Sequence, residues 1–425
     1  MLVTVVGLVV ALSILVFAHE LGHYLAARRV GVVVEEFGFG YPPRLFSFFR
    51  TWGKVVIDGQ EIAVPPAVQV PEDLSVGSLV VYETRVDEKR GEVLAGIRGV
   101  DAEQDVEASS KIEFVDRGTL FTVNAIPFGG FARMLGEEDP SAPGSLASKG
   151  KLARIFVLSA GAVMNLLTAV IFFALAMGLG APVAADPENA MVTAVVSGSP
   201  AEAAGLQPGD VIVQADDTEI LTLEGLQSFT RDHLGEEIVL SVDRDGQMMQ
   251  IALVPRPDPP QGEGPIGIVL GPRMTIQDYP WYEALWMGVQ QTVRLTMFIF
   301  TVPVQLIQGL IPAEMARPVG PVGVGQLVGD AVQYSLDTGW WYPAMQMLGT
   351  LGVALAVTNL LPLPGLDGGR ILFVLVEAIR GKRVDPAREG LIHLIGLALL
   401  VALMLFITWQ DIINPVPGVD WSTFF

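Results

Sequence analysis

His19-Glu20-Leu21-Gly22-His23 puts two imidazoles and a carboxylate within five consecutive residues of a chain whose other histidines are only His233 and His393. On a helix, residues i and i+4 share one face about a turn apart, so both rings can bind a single zinc ion while the glutamate between them serves as a base toward a water activated there. That pattern points to hydrolytic metal chemistry. Its setting sharpens the reading, because the run that contains it, residues 2 to 27, is apolar enough to lie in a bilayer. Each charged group placed in hydrocarbon costs about 2.5–3.5 kcal/mol on insertion scales, so such a triplet needs a functional reason.

A hydrolytic zinc takes three protein ligands and keeps one position open. The chain has no cysteine, so the third must be His, Asp or Glu at the same membrane depth. A distant apolar stretch reads Asn359-Leu360-Leu361-Pro362-Leu363-Pro364-Gly365-Leu366-Asp367-Gly368-Gly369-Arg370. The two prolines cannot continue a regular helix, and the glycines permit an irregular backbone. Irregular backbone at membrane depth is tolerated only where protein or a watery cavity receives it. Asp367, presented on that turn, is the candidate third ligand beside His19 and His23, with Glu20 as the base.

The elements that must position these groups follow from composition and charge. With 425 residues, 51% hydrophobic content and a mean hydropathy of +0.48, the chain reads as a polytopic α-helical membrane protein carrying soluble domains. A net charge of -20 excludes nucleic acid as a partner. The first span, 2 to 27, has no basic residue before it and Arg28 and Arg29 after it, which places the His19 end on the cytoplasmic side. A second span, about Ile155 to Leu179, follows Lys149, Lys151 and Arg154 and runs outward. A third, about Pro343 to Ile379, is broken at Pro362 and Pro364, and a fourth covers about Leu391 to Trp409. Arg380, Lys382, Arg383 and Arg388 lie inside between them. If 283 to 311 also crossed, that basic cluster would fall outside, so this segment is expected to lie on the outer interface or pack against the bundle. The expectation is four spans.

Two soluble modules are expected between the spans. Residues 51–118 mix β-branched runs with Gly, Pro and acidic residues, as in Lys54 to Ile57, Ser78 to Thr84, Gly91 to Ile97 and Lys111 to Val115, and read as a small β-rich cytoplasmic insertion. Residues 186–272 alternate with period two in Met191 to Val196, Asp210 to Ala215, Glu237 to Val242 and Met249 to Val254. Between the first two, Ser199 reads as an N-cap, Pro200 as the first helical residue and Gly205 as the stop. This module resembles the circularly permuted PDZ domains of bacterial proteases, which bind extended peptides by strand addition.

Taken together, the two metal motifs, the PDZ-like module and the order of the spans resemble the site-2 protease family of intramembrane zinc metalloproteases, in particular its RseP type. The resemblance implies zinc held by His19, His23 and Asp367, and Glu20 as catalytic base. It implies that Asn165, in Gly161-Ala162-Val163-Met164-Asn165 of the second span, and Asn359 hold the substrate backbone. Glu35 to Pro43 with Phe121 to Met134 resembles the re-entrant β-loop that presents substrate, and Gly320-Pro321-Val322-Gly323 the Gly-Pro segment before the third span. Two departures stand out: one PDZ-like module where two in tandem are usual, and the long 51–118 insertion, whose expected role is structural or regulatory.

The resulting organisation is 1–50, first span and start of the β-loop; 51–118, insertion; 119–182, β-loop return and second span; 186–272, PDZ-like α+β domain on the extracytoplasmic side; 273–342, interfacial helices and Gly-Pro segment; and 343–425, the last two spans. The expected activity is cleavage of transmembrane segments of single-span proteins already trimmed on the outer side, such as an anti-sigma factor or a signal-peptide remnant, in a bacterial cytoplasmic (inner) membrane. The partners are then the lipid bilayer, a transmembrane protein or peptide, and an extracytoplasmic peptide tail at the PDZ-like domain. A non-catalytic scaffold, the competing reading, has no use for Glu20. His233, His393 and the helix-end charge Glu377 are expected to be surface or interfacial residues without a role.

Overall fold

A computed structural model describes residues 2–100, 109–136, 142–220, 222–244, 246–260, 263–312, 317–419 and 421. Segment 101–108 of the expected insertion and 313–316 of the expected interfacial stretch lie outside the described residues. In chain order the elements are α1 (Leu2–Arg29), β1 (Val34–Arg50), β2 (Gly53–Ile57), β3 (Gln60–Val64), β4 (Leu79–Asp87), β5 (Gly91–Gly99), β6 (Ser110–Asp116), β7 (Leu120–Met134) and α2 (Lys151–Gly178). They continue with β8 (Ala181–Val195), α3 (Pro200–Ala204), β9 (Val211–Ala215), β10 (Thr218–Glu219), α4 (Leu223–Asp232), β11 (Ile238–Arg244), β12 (Gln247–Leu253) and β13 (Ile268–Gln277). The last are α5 (Trp281–Ile307), α6 (Pro321–Thr338), α7 (Tyr342–Leu360), α8 (Asp367–Arg380) and α9 (Pro386–Ile413).

The chain divides into two compact units, one running to Ala176 and joined by Trp281–Val419, the other Met177–Pro280. In the first, four helices among the described residues are long and apolar enough to cross a membrane: α1, α2, α7 and α9. The expected third span is two helices, α7 and α8, because Pro362 and Pro364 remove two N–H groups and force a turn over residues 361–366. α5 is a single helix whose Leu295 and Ile299 pack on Ala169, Phe173, Val353 and Val357 of α2 and α7. Of the two placements expected for 283–311, packing against the bundle is the one observed. α6 begins at Gly320-Pro321 with no capping side chain of its own. Asp411 of α9, fully buried, caps it instead by accepting the Gly320 and Gly323 N–H groups at 2.9 Å each.

β1 and β7 pair along two registers, Val34–Phe39 with Gly130–Met134 and Arg44–Arg50 with Leu120–Asn124, while 36–39 also pair with 120–123. Each long strand is therefore folded on itself, and the sheet runs 44–50, 120–124, 34–39, 130–134, with 130–134 at one edge. Glu36, 4% exposed, stitches it together, bonded by Arg44, Arg133 and Thr122 from three neighbouring segments.

The insertion forms a closed five-stranded barrel in the order β2-β3-β5-β4-β6. Its alternating strands turn Val55, Ile57, Ile62, Val64, Val80, Leu94 and Ile112 inward into a core of its own, each such burial being worth about 1.5–3 kcal/mol. The sequence pattern anticipates β2, β4, β5 and β6; β3, five residues after a tight turn, carries too short an alternation to stand out in it. Arg28, at the end of α1, joins the barrel through Asp116 at 2.7 Å.

The second unit is a sheet in the order β12-β11-β9-β8-β13, with β10 beside β9. Ala201 of α3 and Leu226 of α4 pack into its core with Ile212, Leu240 and Val242. The expected caps are in place: Ser199 accepts the Glu202 N–H, Pro200 opens α3 and Gly205 ends it at φ 84°. The sheet reaches beyond the expected 186–272, from Ala181 to Gln277. Asp210, fully buried, is bonded by Arg244 at 2.6 and 2.8 Å and by the Gln207 N–H at 2.9 Å. Burial pushes its carboxyl pKa up, but Arg244 and the Gln207 N–H outweigh burial and hold it below the ordinary value. A group depressed in the folded state contributes stability above its unfolded pKa and loses it as pH falls through the folded value. Amide protection factors around 205–216, taken against the intrinsic exchange rate at each pH, are therefore expected to fall once the pH drops below about 4, and to be low already at pH 7 in Asp210→Asn.

Candidate metal centre

His19 and His23 lie on the buried face of α1, 8% and 5% exposed. Asp367, the first residue of α8, meets them from the far side of the broken span. Nε2 of His19 and Nε2 of His23 are 3.1 Å apart, and Asp367 Oδ2 is 3.1 Å from the first and 3.2 Å from the second. A tetrahedral ion with bonds of 2.0–2.1 Å spaces its ligands about 3.3–3.4 Å apart, so this nearly equilateral triangle fits zinc. Two ring lone pairs and a carboxylate oxygen facing one another repel unless a cation or a proton lies between them.

The rings are turned by their outer nitrogens. His23 Nδ1–H donates to the Val157 carbonyl of α2 at 2.9 Å, which leaves Nε2 as the lone-pair atom facing the site. His19 Nδ1 has the amides of Asn165 and Asn359 at 3.4 and 3.5 Å. When Nε2 is a metal ligand, Nδ1 carries the ring proton and donates, so an amide oxygen must face it; the buried Oδ1 of Asn165, which has no other partner, meets this need when the amide is turned over.

Glycine makes the approach of the helices possible. A Cβ on Gly161 of α2 would stand 2.5 Å from His23 Nε2 and 2.7 Å from His19 Nε2, inside the site itself. Cβ atoms on Gly368 and Gly369 would run into the backbone of 360–364, so the Asp-Gly-Gly order lets α8 fold back against the turn that delivers Asp367. Glu20 lies between the two histidines, and its Oε2 accepts the Ala132 N–H from the sheet edge at 3.1 Å. A cavity of about 500 Å³ opens over these groups, lined by His19, Glu20, His23, Asp367, the edge residues Phe131, Ala132 and Met134, and by His393 and Leu397 of α9.

The structure thus brings His19, Glu20, His23, Asp367, Asn165 and Asn359 together. It also corrects two expectations. Glu377 is not a free helix-end charge: it bonds Arg154 of α2 at 2.6 Å, with side chains only 16% and 8% exposed, and ties α8 to the helix behind the site. Charge order alone placed both at the inner membrane edge with opposite signs, a signal that could have paired them. His393 is not a bystander either, since it lines the cavity and accepts the Gly365 N–H at 2.9 Å. Nothing in the sequence relates two residues 28 positions apart across a helix break. His233 does stay in the other unit, where Nδ1–H bonds the Phe229 carbonyl.

Residues 7–56 and 99–403 match the model of peptidase family M50. The chain belongs to that family, the site-2 proteases. It is 30% identical over 440 residues to the zinc metalloprotease RasP of Oceanobacillus iheyensis, covering 96% of this chain and 98% of that one. It is 29% identical over 432 residues to the regulator of sigma-W protease RasP of Bacillus subtilis, at 96% and 98% coverage. Among solved structures, the PDZ domain of an SdrC-like protein from Listeria monocytogenes aligns with 20% of this chain and 87% of its own, at 19% identity and a TM-score of 0.18. The protein is a zinc metalloprotease of a multi-pass membrane family. The family match omits 57–98, most of the barrel.

Two substitutions test the construction of the site. Gly161→Ala is expected to empty it of zinc, read by metal analysis, with helix content unchanged by circular dichroism. Glu377→Ala strands a buried guanidinium, at a cost of about 3–5 kcal/mol, and should lower the thermal midpoint; Arg154→Met with Glu377→Leu should recover most of the loss.

Proposed function

We propose that the protein hydrolyses peptide bonds within transmembrane segments of single-span proteins that have already been trimmed on the outer side. The observation that carries this reading is the triangle of His19, His23 and Asp367 with Glu20 one residue away, built from two membrane-apolar stretches some 344 positions apart. Zinc bound there would supply Lewis acidity, lowering the pKa of a water far below its ordinary value and polarising a peptide carbonyl. Glu20 is the general base. The Ala132 N–H anchors one of its oxygens, leaving the other to take the proton from the attacking water and return it to the leaving amine.

A transmembrane helix hides its carbonyls in its own hydrogen bonds, so the substrate must unwind before it reacts. Segment 130–134 pairs with the sheet on one side only among the described residues, and its other side borders the cavity. An unwound segment can add there as a further strand, held extended over Glu20. In this reading the folded β1–β7 sheet is the re-entrant β-loop. Asn359, partly exposed at the end of α7, can turn its amide to the substrate backbone, whereas Asn165, 1% exposed, serves chiefly to orient His19.

Charge order puts the His19 end of α1 and the barrel on the cytoplasmic side, and the acidic second unit outside, where it screens substrates by bulk or by their free tails. The sigma-factor connection in the name of the Bacillus relative favours an anti-sigma factor as substrate class, in a bacterial inner membrane.

The decisive comparison uses purified full-length protein and a model single-span substrate in nanodiscs. Wild type is expected to cut within the span, and Glu20→Gln to lose about 10²–10⁴-fold in rate. Equal cleavage by both forms would remove the mechanism, and equal cleavage of substrates with and without a bulky outer domain would remove the trimming requirement.

A further inference from the structure

The turn that delivers Asp367 has a full hydrogen-bond account, and one of its terms leads out of the turn. Residues 361–366 contain two prolines and therefore four N–H groups. Leu361 donates to the Thr358 carbonyl, Leu363 to that of Leu361 and Leu366 to that of Leu363. The fourth, Gly365, donates to Nδ1 of His393 on α9 at 2.9 Å. Of the four, this bond is the one that ties the turn to α9.

The packing around it is correspondingly close. A Cβ on Gly396, one turn along α9 from His393, would collide with Pro364, and Leu397 lies against Gly365. The imidazole itself is flanked by Phe373 of α8, with ring centroids 5.3 Å apart. α9 is otherwise the most lipid-facing of the four membrane-length helices, with 6% of its apolar window buried. Besides Asp411, which caps α6, α9 turns His393 toward the fold, beside the Pro-Gly turn.

From this geometry we infer that His393 is a positioning residue for the metal site: by accepting the Gly365 N–H it holds the turn that sets the Asp367 carboxylate at coordinating distance. This rests on Asp367 being a zinc ligand. Because Nδ1 accepts, the neutral ring is protonated at Nε2, and an asparagine places its Oδ1 close to the position of Nδ1. The role is thus separable from ring packing. His393→Asn keeps the acceptor and loses most of the ring, while His393→Leu keeps bulk and loses the acceptor.

The experiment measures zinc affinity of full-length protein in nanodiscs by competition with a chelator, alongside the thermal midpoint of each metal-free form. Loss of a group that orients a metal ligand typically weakens binding about 10–100-fold. His393→Leu is expected to fall in that range, His393→Asn to stay within about threefold of wild type, and the metal-free midpoints of all three to agree closely. Wild-type affinity in His393→Leu would overturn the inference, as would equal weakening in Leu and Asn variants, which would assign the effect to the ring's packing. Asp367→Asn is the separating control. If it binds zinc as wild type does, the ligand assignment itself fails; if it loses zinc while His393→Leu does not, only the positioning role falls.

Discussion

Three electron-rich atoms, two imidazole nitrogens and a carboxylate oxygen, are held 3.1–3.2 Å apart inside a part of the protein made of apolar helices. Their mutual repulsion is tolerable only around a positive charge, and much of the surrounding architecture reads as a means of keeping them there. The Val157 carbonyl and the two asparagines turn the rings, Gly161 leaves room for their inner edges, and the Arg154–Glu377 pair ties α8 to α2. A site assembled from opposite ends of the chain needs such restraints because no local chain geometry supplies them.

The proposed base and the proposed substrate platform share a contact. Glu20 accepts the Ala132 N–H, so in the proposed mechanism the group that moves the proton is registered directly against the strand edge offered to an unwound substrate. The Glu36 network, spanning three neighbouring segments of the folded sheet, gives that edge a fixed position. Registration of this kind matters because an ångström of misplacement between base and scissile bond is enough to cost orders of magnitude in rate.

The barrel stands apart from this logic. It has its own apolar core, most of it falls outside the family match, and it joins the end of α1 through Arg28 and Asp116. A module with a self-sufficient core can be accommodated in a loop at modest entropic cost, because closing a longer loop adds only slowly to the free energy. It therefore leaves the chemistry of the site to the helices.

Local pattern by itself determined a good deal. The i, i+4 histidines, the Pro-Leu-Pro break before Asp367, the Ser199-Pro200…Gly205 helix and the alternating runs that became β2, β4, β5, β6, β8, β9, β11 and β12 each depend on neighbours in sequence, and each is found close to where the pattern put it. The four membrane-length helices were legible for the same reason, since span length and hydropathy are properties of a contiguous stretch. Tertiary structure decided what depends on distant partners: the doubled register of β1 and β7, the capping of α6 by Asp411, the ion pair of Glu377 and the hold of His393 on Gly365. Charged and polar side chains near a membrane edge look alike in sequence whether they face water or a partner, and only the packing of helices hundreds of residues apart distinguishes the two.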